Sequence, residues 1–513
     1  MGTTAAQNVS YWIDSTEQTS YPSLQQTRAD VVVVGAGITG LTAAYLLACD
    51  GLRVVVVEAG RVCAGATGFT TGKVTSQHHL IYAKMVRRNG VDRAAAYADA
   101  QQAAIERIAA IAEKEEIDCD VRRAPSFVYT DEPARVRDLE AELEAAHHFG
   151  LPAAIVEGDI GLPWNVTAAL RFDNQLLFHP RKYCLGLAAA IVRRGGSIAE
   201  ETRAVDVRQG DDCVVKTTRG DIHGDFVVVA TQAPFLDRGV FFARMKPVRS
   251  YAIAAPWDDP PDGMYISAEQ PTRSVRPHFG SDRTILIVGG GGHPTGRRED
   301  TEGEYADLDR WAADRFGMAP EWRWSAQDFI AADGAPFIGR ITSGSKRIFV
   351  ATGFAKWGMT NGTVAGMLIT DAIAGRENSW RDAFDSTRID AAKSARIVMS
   401  QGLETARSWV GDRLTMLSSR EVESLEAGNG AVVRNGGQSI AVFRDDEGRL
   451  SAVSARCTHL GCIVHFNKAE RTWDCPCHGS RFGTDGRVID GPATKDLKRL
   501  PADETVALEH GRT

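Results

Sequence analysis

The chain has 513 residues, of which 43% are hydrophobic and 24% are charged, and its formal net charge is −7. This length predicts two or three domains, and the composition is that of a globular protein. The negative charge argues against a nucleic-acid partner or an anionic membrane surface, and no apolar stretch reaches the roughly eighteen residues of a membrane span. We expect a cytoplasmic protein, because five of its nine cysteines are scattered singly, as reduced thiols usually are.

The first motif in the chain is a short apolar strand followed by a glycine-rich turn. Residues 29–34 read ADVVVV, as expected of a parallel strand that is buried on both faces. They lead into GAGITG (residues 35–40), a helical stretch and a second strand, RVVVVE, that ends at Glu58. The glycines permit a tight turn and the approach of a pyrophosphate to the helix N-terminus, and the acid can bind a ribose. Strand, glycines, helix, strand and acid in this order predict a dinucleotide site.

Three later segments carry features of a flavin site. A glycine- and threonine-rich loop follows Glu58. Residues 197–231 read as a small sheet that ends in DFVVVAT, and residues 348–369 read as a strand, a glycine loop and a helix that begins near Gly358. A helix N-terminus directed at the pyrimidine edge of a flavin would stabilise the anionic reduced ring.

In this order the segments resemble the D-amino-acid-oxidase-like family of FAD-dependent oxidoreductases, over about residues 28–380. The resemblance implies a Rossmann-like α/β FAD-binding domain of the GR2 type with a β-sheet substrate layer. It also implies a small amine or amino-acid-like substrate. The residues that it assigns to FAD are Gly35, Ala36, Gly37, Ile38, Thr39, Gly40, Glu58, Ala59, Thr67, Thr70, Thr71, Val205, Thr231, Gly358, Met359 and Thr360.

The last hundred residues hold two short clusters of cysteine and histidine. Cys457-Thr-His459 is followed, after fifteen residues, by Cys475-Pro-Cys477-His478, and Cys462 lies between them. A [2Fe–2S] centre in which two imidazoles replace two thiolates on one iron needs two cysteines and two histidines arranged in this way. Structural zinc is the alternative, although six candidate ligands are two more than one tetrahedral ion takes.

The motifs CTHLGC and CPCHGS resemble the Rieske domain family, in the branch of the respiratory and photosynthetic proteins. The resemblance implies an all-β domain and a bound [2Fe–2S] cluster. Its ligands would be Cys457, His459, Cys475 and His478, and a disulfide would join Cys462 to Cys477. The combination with a flavin domain is similar to a bacterial group within the oxidoreductase family.

We predict four segments along the chain. They are an N-terminal arm over residues 1–27, an FAD-dependent domain over 28–383, a helical linker over 384–418 and a Rieske domain over 419–513. The substrate layer is expected mainly over residues 84–180 and 245–330. Apolar residues at helical spacing predict an amphipathic connecting helix over residues 391–414.

An amine must lose a proton before it gives up a hydride, so a basic or hydrogen-bonding group is expected near the flavin ring. The main candidates are Lys356 and Trp357, which precede the flavin-edge loop, together with His293 and Tyr251. A cation at Lys356 would favour reduced flavin. Further candidates are Lys73, His78 and Arg276, the last as a bidentate partner of a substrate carboxylate.

Together the two domains predict an enzyme that passes electrons from its substrate to FAD and then singly through the cluster. The external acceptor would be a protein, a quinone or oxygen, and a dehydrogenase is favoured because oxygen need not be the oxidant. Two alternatives stay open. The chain could be an NAD(P)H-driven reductase for a partner protein, although Val288–Gly296 lacks the spacing of a second dinucleotide motif. The cluster could also be redox-silent and structural.

The midpoint potential of the cluster is the first testable prediction. Ser480 stands where the respiratory branch places a hydroxyl that bonds a cluster sulfide, but Phe482 stands where that branch usually has tyrosine. Because hydrogen bonds to sulfur stabilise the reduced, more negative state, we expect a midpoint below the upper end of the Rieske range, about +300 mV. A potentiometric titration measures it, and a value at that upper end would contradict the prediction.

Overall fold

A computed structural model of the chain describes residues 6–298, 300–388, 417–418, 422–435 and 437–501. The chain divides into two units. The first comprises Met1–Gln232, Ser250–Gly292 and Tyr305–Arg388, and the second comprises Ala233–Arg249, His293–Glu304 and Ile389–Thr513. Two segments of the predicted flavin domain, residues 233–249 and 293–304, thus group with the C-terminal domain. The helix predicted over residues 391–414 lies outside the described residues.

The α-helices of the described residues are α1 (Tyr11–Asp14), α2 (Ile38–Cys49), α3 (Tyr82–Asn89), α4 (Val91–Lys114), α5 (Val136–His148), α6 (Pro180–Arg193), α7 (Glu302–Phe316), α8 (Gly358–Ala374) and α9 (Arg381–Phe384), and two short 3-10 helices cover Pro133–Arg135 and Phe241–Ala243. The strands are β1 (Arg28–Val34), β2 (Val54–Val57), β3 (Lys73–Val74), β4 (Arg122–Thr130), β5 (Ala153–Gly158), β6 (Val166–Leu177), β7 (Ser197–Ala199), β8 (Ala204–Gln209), β9 (Cys213–Thr217), β10 (Gly220–Val229), β11 (Met245–Pro256), β12 (Met264–Ser267), β13 (Ser274–Phe279), β14 (Thr284–Pro294), β15 (Trp322–Ala331), β16 (Phe337–Arg340), β17 (Ile348–Thr352), β18 (Leu417–Ser418), β19 (Gly430–Asn435), β20 (Gln438–Arg444), β21 (Leu450–Ser454), β22 (His465–Asn467), β23 (Thr472–Asp474), β24 (Arg481–Gly483) and β25 (Val488–Asp490).

A parallel sheet forms the centre of the first unit. Strands β17, β10, β1, β2 and β7 lie side by side in this order, all parallel. The valines of β1 and β2 are buried, as predicted for strands covered on both faces. Helices α2 and α8 pack so closely that a Cβ atom at Gly366 would stand 2.7 Å from Cγ2 of Thr42. The predicted α/β class is confirmed.

A second, mostly antiparallel sheet completes this unit. Its strands follow the order β15-β11-β14-β13-β12-β4-β6-β3, with β5 paired to β6. Apart from β3, these strands come from the parts of the chain predicted to form the substrate layer, at residues 122–177 and 245–331. Helices α3, α4 and α5 come from the first of these predicted parts, residues 84–180, together with the two residues before it.

The N-terminal arm contributes to the core of the first unit. The side chain of Trp12 in α1 is completely buried, and its Nε1 donates to the carbonyl of Thr70 at 2.7 Å. The ring of Tyr11 lies edge-on to Trp322, with 5.2 Å between centroids. Residues that are far apart in sequence thus share one aromatic cluster.

The second unit is all-β in its C-terminal part, as predicted. One four-stranded sheet has the order β18-β19-β20-β21, and another has the order β22-β23-β24-β25. Trp473 and Phe482 are completely buried between the elements of this part. Within the described ranges, none of the helices of either unit has the length and apolar character needed to cross a membrane.

Truncation of Trp12 tests whether the arm supports the first unit. We expect Trp12→Ala to lower the free energy of unfolding by about 3–5 kcal/mol, the cost of removing a large buried aromatic side chain. Trp12→Phe keeps most of the ring and loses the bond to Thr70, so its cost should be about 1–3 kcal/mol. Urea unfolding, monitored by the release of flavin, measures the stability of both variants. Wild-type stability of the alanine variant would refute this role.

Candidate functional site

The predicted nucleotide residues lie at the carboxyl ends of neighbouring parallel strands. Gly35 follows β1, Glu58 follows β2, Thr231 lies just beyond β10, and Gly353 follows β17. The carboxyl edge of a parallel sheet is where open α/β folds bind their ligands. The order of strands therefore brings together segments that are far apart in sequence.

Two glycines of the first turn, Gly35 and Gly40, are required by close backbone approaches, and the third faces a threonine side chain. Gly35 has a φ of 106°, and a Cβ atom there would stand 2.6 Å from the carbonyl oxygen of Ala230. A Cβ atom at Gly40 would stand only 1.9 Å from the oxygen of Gly35, and one at Gly37 would stand 3.1 Å from Oγ1 of Thr67. Because α2 begins directly behind this turn, its N-terminus can receive a pyrophosphate beside Thr67, whose Oγ1 accepts the N–H of Ile38 at 3.2 Å. These residues fit the ADP half of FAD.

Glu58 holds the glycine turn and its own loop together. Its Oε2 accepts the N–H of Ala36 at 2.8 Å, and its Oε1 accepts the N–H of Gly60 at 2.9 Å. Burial raises the pKa of Glu58, and these backbone donors oppose the shift. A carboxylate keeps further lone pairs for ribose hydroxyls when two oxygens each accept one bond. Val205, the residue expected at adenine, is half-buried at an irregularity between β8 and β9.

The threonine loop is held by a buried arginine. Thr70 Oγ1 accepts the N–H of Gly72 at 3.0 Å. Arg276 is completely buried and donates to the carbonyl oxygens of Thr71 and Gly72, at 3.1 and 2.6 Å. Its other bonds reach the carbonyls of residues 178 and 277, and burial lowers its pKa to about 9. The contacts of Arg276 are therefore those of a residue that positions the loop.

A strained turn leads into helix α8. Ala355 and Lys356 have φ values of 54° and 74°, which residues other than glycine rarely adopt. Asp328 holds this turn by accepting the N–H of Lys356, and burial raises the pKa of Asp328 to about 6. The side chain of Lys356 is exposed. The N-terminus of α8, predicted to face the flavin, thus follows a backbone that its surroundings hold in an unfavourable conformation.

His78 connects this helix to the substrate layer. Its ring stacks on Trp357 at 4.7 Å, its Nδ1 lies 2.6 Å from the Tyr97 hydroxyl, and its Nε2 lies 2.9 Å from Thr360 Oγ1. Burial lowers the pKa of His78 to about 3, so the ring is neutral. A neutral imidazole donates one hydrogen bond and accepts one, and both are used here. Tyr97 carried no sequence signal, because it lies within an ordinary helical stretch.

The remaining candidates have other contacts. Tyr251 is buried on β11 and stands edge-on to Tyr305, 4.8 Å between centroids. Lys73 is buried, donates to the carbonyl of Tyr265 at 2.8 Å and to Ser274 Oγ, and has its pKa lowered by burial to about 7. His293 belongs to the second unit, where its Nδ1 donates to the next carbonyl at 2.9 Å. The structure thus brings His78 against Trp357, the residue after Lys356, and His293 belongs to the other unit.

Two tight loops of the second unit present the predicted cluster ligands. In the first loop, the N–H of Cys457 donates to the carbonyl of Cys462 at 2.8 Å. In the second loop, the N–H of Cys475 donates to the carbonyl of Ser480 at 2.8 Å. A glycine with a φ of 78° closes each loop. Cys462 and Cys477 form the disulfide that joins the loops, as the resemblance implied.

The four remaining ligand side chains form two adjacent pairs. Cys457 and Cys475 are buried beside each other, and hydrogen bonds from Cys475 and Ser480 help to lower the pKa of Cys457 to about 7. The rings of His459 and His478 lie 5.1 Å apart at 90°. Because the disulfide removes two of the six candidate ligands, two thiols and two imidazoles remain. This set fits a [2Fe–2S] cluster with one iron on each pair.

Sequence reasoning missed two residues at this centre. Asp237 Oδ1 lies 2.9 Å from Nε2 of His459, and the ring of Phe242 contacts both ligand imidazoles. Asp237 and His459 are 222 positions apart, and no local motif links them.

Comparisons with known proteins agree with this division. The model of the FAD dependent oxidoreductase family matches residues 30–372, and that of the Rieske [2Fe-2S] domain matches residues 415–501. YhfW of Bacillus subtilis (strain 168), named as a Rieske 2Fe-2S iron-sulfur protein, is 37% identical over 498 residues, which are 96% of this chain and 97% of YhfW. Gamma-glutamylputrescine oxidoreductase of Escherichia coli (strain K12) is 25% identical over 69% of this chain and 85% of its own length. In fold, glycine oxidase from Geobacillus kaustophilus has a TM-score of 0.62 at 21% identity, covering 71% of this chain and all of that chain. Both resemblances drawn from the sequence are confirmed, and with them the two cofactors, FAD and a [2Fe–2S] cluster.

Replacement of Gly40 tests whether the glycine turn binds FAD independently of the cluster. Because a Cβ atom at residue 40 would collide with the Gly35 carbonyl, we expect Gly40→Ala to lose most of its flavin while it keeps its iron. Gly210→Ala is the matched control, since the nearest atom to a Cβ at residue 210 is 3.8 Å away. Flavin absorbance and iron content of the purified variants measure the effect. Full flavin occupancy in Gly40→Ala would show that the turn does not hold FAD.

Proposed function

We propose that this chain, which belongs to the family of FAD-dependent oxidoreductases and ends in a Rieske [2Fe-2S] domain, is a dehydrogenase for a small amine or amino-acid-like substrate. Oxidation would break a C–H bond next to the nitrogen and form a C=N bond, so that the nitrogen would release a proton to solvent and the hydride would need an acceptor, which bound FAD would supply. The bound cluster would supply a one-electron route from the reduced flavin to an external acceptor.

The observation that carries the proposal is the strained turn at residues 355–357 in front of α8. Backbone strain of this kind persists where the surroundings impose it, and it concentrates at functional sites. The turn places Lys356 and Trp357 directly before a helix N-terminus, where a partial positive charge favours an anionic reduced ring. The cation of Lys356 adds to that charge.

Trp357 and His78 form the wall beside this turn. The stacked pair is fixed at both ring nitrogens of His78, by Tyr97 and by Thr360. Because the ring is neutral and both of its nitrogens are hydrogen-bonded, His78 brings no charge to the site and is not free to act as a base for the substrate amine. We assign Trp357 and His78 to orienting the substrate and excluding water, and Lys356 to stabilising the reduced flavin.

A relative supports an amine substrate, and the cluster supports a dehydrogenase. The name of gamma-glutamylputrescine oxidoreductase, the relative with 25% identity, describes a protein that acts on an amine. A centre that accepts one electron at a time provides a route to an acceptor other than oxygen.

The reductase alternative requires a second site for a nicotinamide cofactor. The glycines of residues 288–296 were its one sequence candidate. In the structure β14 covers Thr284–Pro294 and pairs antiparallel with β13, so these glycines lie mostly in a strand. A glycine turn between a strand and a helix, which a dinucleotide site needs, is not formed there.

Anaerobic rapid mixing tests the proposal. The oxidised protein is mixed with a panel of small amines and amino acids, and separately with NADH and NADPH, while absorbance spectra are recorded. We expect an amine to bleach the flavin first and to reduce the cluster in a second phase. Reduction by a nicotinamide cofactor alone would overturn the proposal, and full flavin bleaching with an unchanged cluster spectrum would make the cluster structural.

A pair of cysteine variants tests whether the second phase is the reduction of the cluster. Cys457→Ser removes a cluster ligand, so flavin bleaching should remain and the later phase should disappear. Cys49→Ser, which changes an exposed cysteine of the first unit, should retain both phases. A later phase that survives in Cys457→Ser would show that it does not report the cluster.

A further inference from the structure

Residues 233–249 form a segment of the second unit that is anchored on the cluster domain. Arg249, at its end, is completely buried, and its Nη2 lies 3.6 Å from Oε2 of Glu470. Arg249 also interacts electrostatically with Asp474, the residue before the second loop's first cysteine. A buried arginine among these carboxylates fixes the segment against the domain that carries the loops.

The middle of this segment covers one side of the ligand histidines. The ring of Phe242 stands edge-on to His459 and to His478, with centroid distances of 5.3 and 4.9 Å. Asp237 Oδ1 accepts a hydrogen bond from Nε2 of His459 at 2.9 Å. As a result only 6% of the His459 side chain is exposed, whereas 63% of the Asp237 side chain is exposed.

The contact leaves one nitrogen of His459 for iron. An imidazole that donates from Nε2 can bind a metal only through Nδ1, and a carboxylate on the second nitrogen fixes both the tautomer and the ring plane. His478 differs, because its ring nitrogens form no hydrogen bond within the described part of the chain. The two imidazoles of the cluster are therefore unequal.

We propose that Asp237 is a positioning residue for the cluster, which orients His459 through Nε2 and lowers the midpoint potential. Reduction adds one electron and no bond forms or breaks, so a carboxylate next to a ligand opposes the extra negative charge. The same bond occupies Nε2 of His459, so that this nitrogen is not offered to an external acceptor. This inference rests on the cluster and not on the proposed substrate, because the potential is measured without substrate.

Potentiometric titration of the full-length protein carrying both cofactors, with Asp237→Asn, tests the proposal. The asparagine keeps the size of the side chain and removes its charge, so we expect the midpoint to rise. The reduction constant should increase by up to about tenfold, which corresponds to 59 mV for a one-electron couple. Because Asp237 is exposed, the difference should shrink as ionic strength increases. The EPR spectrum of the reduced cluster should also change, since the ring of His459 loses its carboxylate partner.

Asp446→Asn is the matched control. Asp446 belongs to the same unit, its side chain is 60% exposed, and it pairs with Arg471 at 2.7 Å and not with a ligand. This variant loses the same charge and should keep the wild-type midpoint and spectrum. If Asp237→Asn and Asp446→Asn both match wild type at low ionic strength, the proposal is overturned. If Asp237→Asn loses iron while Asp237→Glu retains it, the positioning role is supported directly.

Discussion

Four parallel strands that end at one edge of a buried sheet are the constraint on which the flavin site depends. Strands β17, β10, β1 and β2 place Gly353, Thr231, Gly35 and Glu58 along that edge. The backbone approach at Gly35 and Gly40 lets α2 start immediately behind β1, so the helix N-terminus faces the same edge. Because α8 packs on α2 through small residues, its own N-terminus is fixed with the sheet.

The cluster site depends on a different constraint, the joining of two short loops. Each loop is closed by backbone hydrogen bonds and a left-handed glycine, and neither loop alone contains enough ligands for the cluster. The disulfide between Cys462 and Cys477 joins the loops, which brings the two thiols together and the two imidazoles together. A small all-β domain with few core residues gains most from such a crosslink.

What was predictable from the sequence was local along the chain. The valine strands and the glycine turn each lie within a few residues and appear in the structure as predicted, and the CxH and CxxH motifs lie on two loops that the predicted disulfide joins. Contacts between distant segments left no such signal. Asp237 reaches His459 across 222 positions, and His78 reaches Thr360 across 282. The grouping of residues 233–249 with the C-terminal domain was missed for the same reason, since only packing defines it.

The potential of the cluster reflects two opposed local effects of unequal strength. Ser480 is completely buried and hydrogen-bonds toward Cys457, which stabilises negative charge on the sulfur. Asp237 adds negative charge at a ligand, but water and ions screen its exposed carboxylate. Interactions in the interior are screened much less than those at the surface. The buried hydroxyl therefore dominates, and the carboxylate adjusts a potential that the cluster loops set. A carboxylate at the surface has only a small effect on the cluster. The potential can therefore be adjusted there without any change in the ligands or in the core that holds them.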